Sequence, residues 1–171
     1  DLRATTTALQ QSIAQGRMPE ARRFALALRL RAWEDPRPGT RASLAPWSRL
    51  LAERAVRLGE HGLFDLAAQS AAEAQRFALG DAPTQTLVQR LAERMADTAR
   101  ERERHGDIAS AFELARDAVL LDPRRSWMRR RAEDLRPRRL SAYDGGREVA
   151  AYRFAVRATE KLNTGPGTPA E

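Results

Sequence analysis

The sequence predicts an all-α protein, and three observations lead to that prediction. The apolar residues are mostly Ala and Leu, which favour helices, while aromatic residues make up only 6% of the chain. Apolar residues recur at helical spacing in several stretches, and glycine and proline stand between these stretches. Because 42% of its 171 residues are hydrophobic and 31% are charged, the chain is expected to form one globular domain.

Each predicted helix depends on apolar residues that share one face. The clearest such face consists of Ile108, Ala111, Phe112, Ala115 and Val119. In chain order, the predicted helices span 3–15, 18–33, 46–60, 63–79, 84–104, 108–121, 125–136 and 147–162. The longest predicted break is the loop 36–45, and residues 163–171 are predicted to form a flexible tail.

Glycine and proline mark the predicted helix ends. Gly16, Gly62 and Gly106 each lie between two helical patterns, where a left-handed backbone conformation would end the first helix. The Asp-Pro pairs at 35–36 and 122–123 each follow a helical pattern, which proline cannot continue. These signals predict helix–turn–helix units in succession.

The pattern of residues 147–162 permits two interpretations of its secondary structure. Tyr152, Phe154 and Val156 alternate with polar or small residues, and this period of two is typical of a strand. The spacing of Val149, Tyr152 and Val156, together with frequent alanine, favours a helix. A helix is the prediction, and a strand remains the alternative.

The turn glycines also align internal repeats. Five residues after each glycine stands an alanine, and twelve residues after it stands another small or apolar residue. The residues at these two positions are Ala21 and Leu28, Ala67 and Ala74, and Ala111 and Ala118. Small side chains at these positions would let the second helix of a unit pack closely on the first.

One of these units resembles a known family. Gly106-Asp107, Ala111, Ala118 and Asp122-Pro123 have the spacing of the second half of a tetratricopeptide repeat, or TPR, and the match covers 105–123. The matching glycines lie 46 and 44 residues apart, whereas a regular TPR has 34 residues, so the resemblance is to a degenerate member.

The resemblance implies a right-handed α-solenoid of stacked helix–turn–helix repeats. Its units would span 3–36, 47–79 and 84–123, within a single domain at 1–162. Helices 125–136 and 147–162 would cap the stack.

In this family, partners bind a concave groove lined by the first helix of each unit. The resemblance therefore implies a partner groove in the second and third units. Its residues would be Arg49, Ala52, Val56, Glu60, Glu93, Ala96, Arg100 and Glu103. The alternative is that these are ordinary surface residues.

Positive charge is concentrated in residues 124–139. This segment has eight arginines against Glu133 and Asp134, so it contributes +6 of the chain's net charge of +7. The predicted basic patch consists of Arg124, Arg125, Trp127, Arg129, Arg130, Arg131, Arg136, Arg138 and Arg139. The patch predicts either binding of anions such as nucleic acid or an acidic membrane, or a solvated capping helix with Trp127 and Met128 packed beneath it.

The residue inventory does not favour catalysis. The chain has no cysteine, and its two histidines, His61 and His105, occupy equivalent positions in successive turns. Gly145-Gly146 lacks the Lys and the Ser or Thr of a phosphate-binding loop. We therefore expect no enzymatic activity, no metal site and no cofactor.

The predicted function is a non-catalytic scaffold or adaptor that binds a segment of another protein or joins a larger complex. The alternative is binding of RNA, DNA or an acidic membrane surface through 124–139. The frequent Ala and Arg suggest a bacterial protein. The expected location is the bacterial cytoplasm, or the cell envelope if a segment before Asp1 has been removed.

Overall fold

The computed structural model describes residues 2–35 and 37–142, and this part of the chain consists of helices joined by turns, with no strand. Its eight helices are α1 (Leu2–Ala14), α2 (Met18–Glu34), α3 (Pro38–Ala42), α4 (Ala45–Glu60), α5 (Phe64–Ala78), α6 (Ala82–Arg104), α7 (Ile108–Leu121) and α8 (Ser126–Ala142). The all-α prediction is therefore confirmed for this part. The segment 147–162, predicted to be a helix, and the tail 163–171 lie outside the described residues.

Two predicted boundaries differ from the structure. The predicted loop 36–45 contains the short helix α3, whose Thr40 is buried and accepts a hydrogen bond at its carbonyl from the Ser43 hydroxyl at 2.6 Å. The helix predicted to end at 136 continues as α8 to Ala142, through Pro137. Burial of Leu135 holds α8 against α7 on the N-terminal side of that proline.

The helices pack as successive antiparallel pairs. The pairs α1–α2, α4–α5 and α6–α7 each form a hairpin, and α8 packs on α7. The second and third hairpins lie side by side, because α4 contacts α6 and α5 contacts both α6 and α7. The first hairpin touches α4 much less extensively.

The three hairpins share one turn geometry. Gly16, Gly62 and Gly106 have φ values of +68°, +75° and +81°, so each adopts the left-handed conformation predicted for it. In each turn, the N–H of the next residue donates to the carbonyl five residues earlier, as in a Schellman motif. These bonds run from Arg17 to Ser12 at 2.9 Å, from Leu63 to Leu58 at 2.9 Å and from Asp107 to Arg102 at 3.0 Å.

Close packing of small residues joins the hairpins. All six aligned repeat positions, from Ala21 to Ala118, are fully buried, as the repeat pattern predicted. In α4, a Cβ added to Gly59 would lie 2.6 Å from Cδ1 of Leu91 in α6, so glycine permits the close approach of these helices. A buried hydrogen bond of 2.9 Å between the Ser48 and Thr84 hydroxyls joins the same two helices.

Candidate functional site

The α4 part of the predicted partner groove has both structural and exposed members. Arg49 donates to both carboxylate oxygens of Asp81, at 3.0 and 2.7 Å. Ala52 is fully buried in the core, and Val56 is half-buried against it. Glu60 is exposed at the end of α4.

Asp81 couples this part of the groove to the start of α6. Its carboxylate caps that helix by accepting from the Thr84 N–H at 3.0 Å and from the Thr84 hydroxyl at 2.8 Å. The Arg49 hydrogen bond, assisted by the bonds from Thr84, lowers the pKa of Asp81 to about 2. Arg49 therefore stabilises the junction between α4 and α6.

The α6 part of the predicted groove faces α8. Ala96 is buried in the core, whereas Glu93 forms an ion pair with Arg125. The Arg100 guanidinium lies 4.3 Å from the centre of the Trp127 ring, in cation–π geometry. Glu103 also contacts α8, because its two carboxylate oxygens accept hydrogen bonds from Arg131 and Arg138.

Residues of the predicted groove on α6 and residues of the predicted basic patch therefore contact each other. The sequence pattern gave no indication of this contact, because Glu103 is 28 residues from Arg131 and 35 from Arg138. Opposite charges on two separate helices could have suggested it only if the helices were already known to be neighbours. The binding roles predicted for the two sets stay predictions.

The arginines of the basic patch divide into two groups. Arg125, Arg131, Arg138 and Arg139 form ion pairs with carboxylates of α6 or α7, and the Arg139 pair with Glu113 spans 2.7 Å. Arg139 also lies over the Phe112 ring at 5.1 Å. The other four, Arg124, Arg129, Arg130 and Arg136, are exposed, as is the paired Arg138. Arg129 donates to the carbonyl of Pro123 at 2.8 Å.

The aromatic and apolar side chains of α8 face inward. Met128 and Leu135 are buried, and Trp127 is half-buried beneath Arg100. This arrangement gives α8 one face that packs on the hairpins and another that carries exposed charge. It leaves the Trp127 ring face occupied by an arginine of the same chain.

A surface that the sequence analysis missed lies on α2. Leu26, Leu30 and Trp33 are 43%, 69% and 86% exposed. Their i, i+4, i+7 spacing is a sequence signal, but the buried face of Ala21, Ala25, Leu28 and Ala32 has helical spacing too. When a helix has two apolar faces, its sequence does not indicate which of them is buried.

Neither histidine lies in a metal-binding cluster. His61 and His105 are exposed at the C-terminal ends of α4 and α6, in equivalent turns. Within residues 2–35 and 37–142, no three His, Cys, Asp or Glu side chains converge as a metal site requires. Gly145-Gly146 lies outside the described residues.

Comparisons with protein-family models, curated proteins and solved structures found no match to this chain. None of the helices in the described ranges combines the length and the apolar content that crossing a bilayer requires.

Proposed function

We propose that the chain is a non-catalytic protein-interaction module, built as a degenerate TPR-like, right-handed solenoid of helical hairpins. The observation that supports it is the side-by-side packing of α4–α5 and α6–α7, with the same Schellman turn and the same buried small residues in each. Stacked hairpins of this kind present extended surfaces that hold a segment of another protein or a subunit of a complex.

The α4 surface is the part of the predicted groove best suited to a partner. On α6, Arg100 and Glu103 already contact side chains of α8, and Glu93 pairs with Arg125 just before α8 begins. On α4, Glu53 and Glu60 are exposed, and neither forms an ion pair with a described residue. A partner that follows the groove would therefore contact α4 without displacing α8.

A charge reversal on α4 tests this proposal. The tagged chain and its Glu60→Arg variant are used to capture partners from a lysate of the source organism, and bound proteins are quantified by mass spectrometry. The matched control is Glu101→Arg, which reverses an exposed glutamate in the last turn of α6. Loss of one captured protein with Glu60→Arg alone would support the α4 surface, whereas equal capture by both variants, or no capture at all, would contradict it.

A second candidate function is anion binding through α8. The exposure of Arg124, Arg129, Arg130 and Arg136 supports it, since these guanidinium groups could meet phosphates. Titration against RNA, DNA and acidic vesicles at low and high salt would test it, with Arg124→Gln/Arg130→Gln as the variant. Binding that weakens steeply with salt and with this variant would support the second candidate, and no binding at low salt would contradict it.

A further inference from the structure

The exposed side of α2 has an unusual combination of apolar side chains. Leu26, Leu30 and Trp33 lie on one stripe that spans two helical turns, about 10 Å along the axis. A single exposed leucine is ordinary, but a tryptophan that is 86% exposed in line with two leucines forms a contiguous apolar patch. Such a patch on a monomer is typical of a binding surface.

A groove of about 390 Å³ runs between α2 and α5 along one side of this stripe. Leu26 and Phe77 provide its apolar lining, and Arg22, Arg29 and Arg76 provide three positive charges against the single carboxylate of Glu73. Arg22 pairs with Glu73 at 3.1 Å, and Arg29 lies 5.5 Å from the centre of the Phe77 ring. The groove therefore keeps an excess of positive charge.

The other side of the stripe is also basic. Arg23 and Arg31 are exposed, as is Glu34, and none of the three forms an ion pair with any residue in the described ranges. Arginines therefore outnumber carboxylates on both sides of the stripe. A ligand that covers the leucines and Trp33 would bring its own flanking groups near these arginines.

We propose that the α2–α5 surface, meaning the stripe and this groove, binds an acidic amphipathic segment of a partner protein. Two or three large apolar side chains of the segment would cover the stripe, and carboxylates on both sides would pair with the arginines. This inference rests on the proposed interaction function and specifies the chemistry of the partner.

The shape and the charge of the surface select this occupant over two others. A groove suits a chain segment, whereas a bilayer would contact the protruding side chains and leave the groove empty. A second copy of this chain would place one arginine-rich surface against another, and like charges across an interface oppose association. An acidic segment satisfies both the apolar and the charged parts of the surface.

Direct binding of designed peptides to the full chain tests the inference. The probe is a fluorescein-labelled helical peptide with Leu, Leu and Trp at i, i+4 and i+7 and glutamates on both sides, and the comparison peptide has lysine in place of glutamate. Fluorescence anisotropy is measured for the wild type, Leu30→Gln and Leu120→Gln. The last is the matched control, because Leu120 is 60% exposed on α7 and Leu30 is 69% exposed on α2.

We expect the glutamate peptide to bind and the lysine peptide not to bind. Leu30→Gln should weaken binding about tenfold or more, and Leu120→Gln should leave it unchanged. Arg23→Glu/Arg31→Glu should also weaken binding and reduce its dependence on salt. Circular dichroism checks that each variant keeps its helix content.

Three results would overturn the inference. They are failure of the glutamate peptide to bind, equal binding by Leu30→Gln and Leu120→Gln, and stronger binding to vesicles of phosphatidylserine and phosphatidylcholine that Leu30→Gln abolishes. If the capture experiment on α4 finds a partner that Leu30→Gln leaves bound, this surface alone is contradicted. Failure to capture any partner contradicts the proposed function instead.

Discussion

The two hairpins α4–α5 and α6–α7 are held together by different forces from those that hold α8 in place. Between the hairpins, buried Ala side chains and Gly59 bring the helices close together around Leu91, Met95 and Phe77. α8 contributes two fully buried apolar anchors, Met128 and Leu135. Its other contacts with the hairpins are mostly arginine–carboxylate pairs and cation–π contacts, beside the partly buried Trp127 and Ala132. Apolar packing resists salt, whereas partly exposed ion pairs weaken as salt is added.

This contrast implies that α8 can detach while the hairpins remain folded. Glu103 is 12% exposed, but its partners Arg131 and Arg138 are 38% and 53% exposed, so each pair contributes little in water. The Nε of Arg131 is buried and has no hydrogen-bond acceptor among residues 2–35 and 37–142, which opposes docking further. We therefore expect the packing of the hairpins to be more stable than the docking of α8.

The largest expected effect comes from a cavity between the hairpins. Leu91→Ala removes a side chain that is 1% exposed, and we expect a loss of about 2–5 kcal/mol in the free energy of unfolding. Urea denaturation followed by circular dichroism measures this loss. Leu120→Ala, at an exposed position of α7, should change stability by less than about 0.5 kcal/mol. Similar losses for both variants would mean that the hairpin interior is not the stabilising core.

A smaller effect is expected from the ion pair between Arg49 of α4 and Asp81, which caps α6. The pKa of Asp81 is lowered from 3.8 to about 2 by Arg49 and Thr84, and its side chain is 11% exposed. Because the folded pKa lies below the unfolded one, this stabilisation is present above about pH 4 and is lost as the pH falls toward 2. The shift corresponds to at most about 2 kcal/mol at neutral pH, and solvent screening reduces this contribution toward about 1 kcal/mol because the Arg49 side chain is 47% exposed.

Asp81→Asn tests that contribution, because asparagine can still cap a helix but cannot pair as an anion with Arg49. The free energy of unfolding, measured by urea from pH 7 to pH 2, should be lower for the variant at pH 7 and should converge with the wild type near pH 2. Parallel curves at all pH values would show that the lowered pKa does not stabilise the fold.

The smallest expected effect on total stability concerns α8. Glu103→Gln removes the carboxylate that Arg131 and Arg138 share, and we expect docking of α8 to weaken by about 1 kcal/mol. Limited trypsin digestion should then cut within 124–139 faster, while the urea midpoint of the whole chain changes little. Salt should accelerate the same cleavage in the wild type.

Glu101→Gln is the matched control for this experiment, because Glu101 is exposed two residues away on the same helix. Its cleavage rate should equal that of the wild type. Equal rates for Glu103→Gln and Glu101→Gln would indicate that the Glu103 ion pairs do not hold α8 in place, and the contrast between ionic and apolar docking would then fail.

The sequence by itself determined most of the helices and the turns within the hairpins, although not α3 or the extension of α8 beyond 136. Local signals were sufficient, because a glycine that must adopt positive φ and an Asp-Pro pair each act within a few residues. It also identified the buried positions Ala67, Ala74, Ala111 and Ala118, since residues that repeat at one spacing occupy equivalent places in successive hairpins.

Only the tertiary structure decided how the candidate surfaces are used. Ala52 and Ala96, assigned to the groove by the resemblance, lie in the core because α4 packs on α6. Glu103 and Arg131 meet although 28 residues separate them, and Trp33 is exposed although the spacing of α2 permits either face to be buried. Periodicity defines the faces of one helix, but contact between distant helices determines which faces are covered.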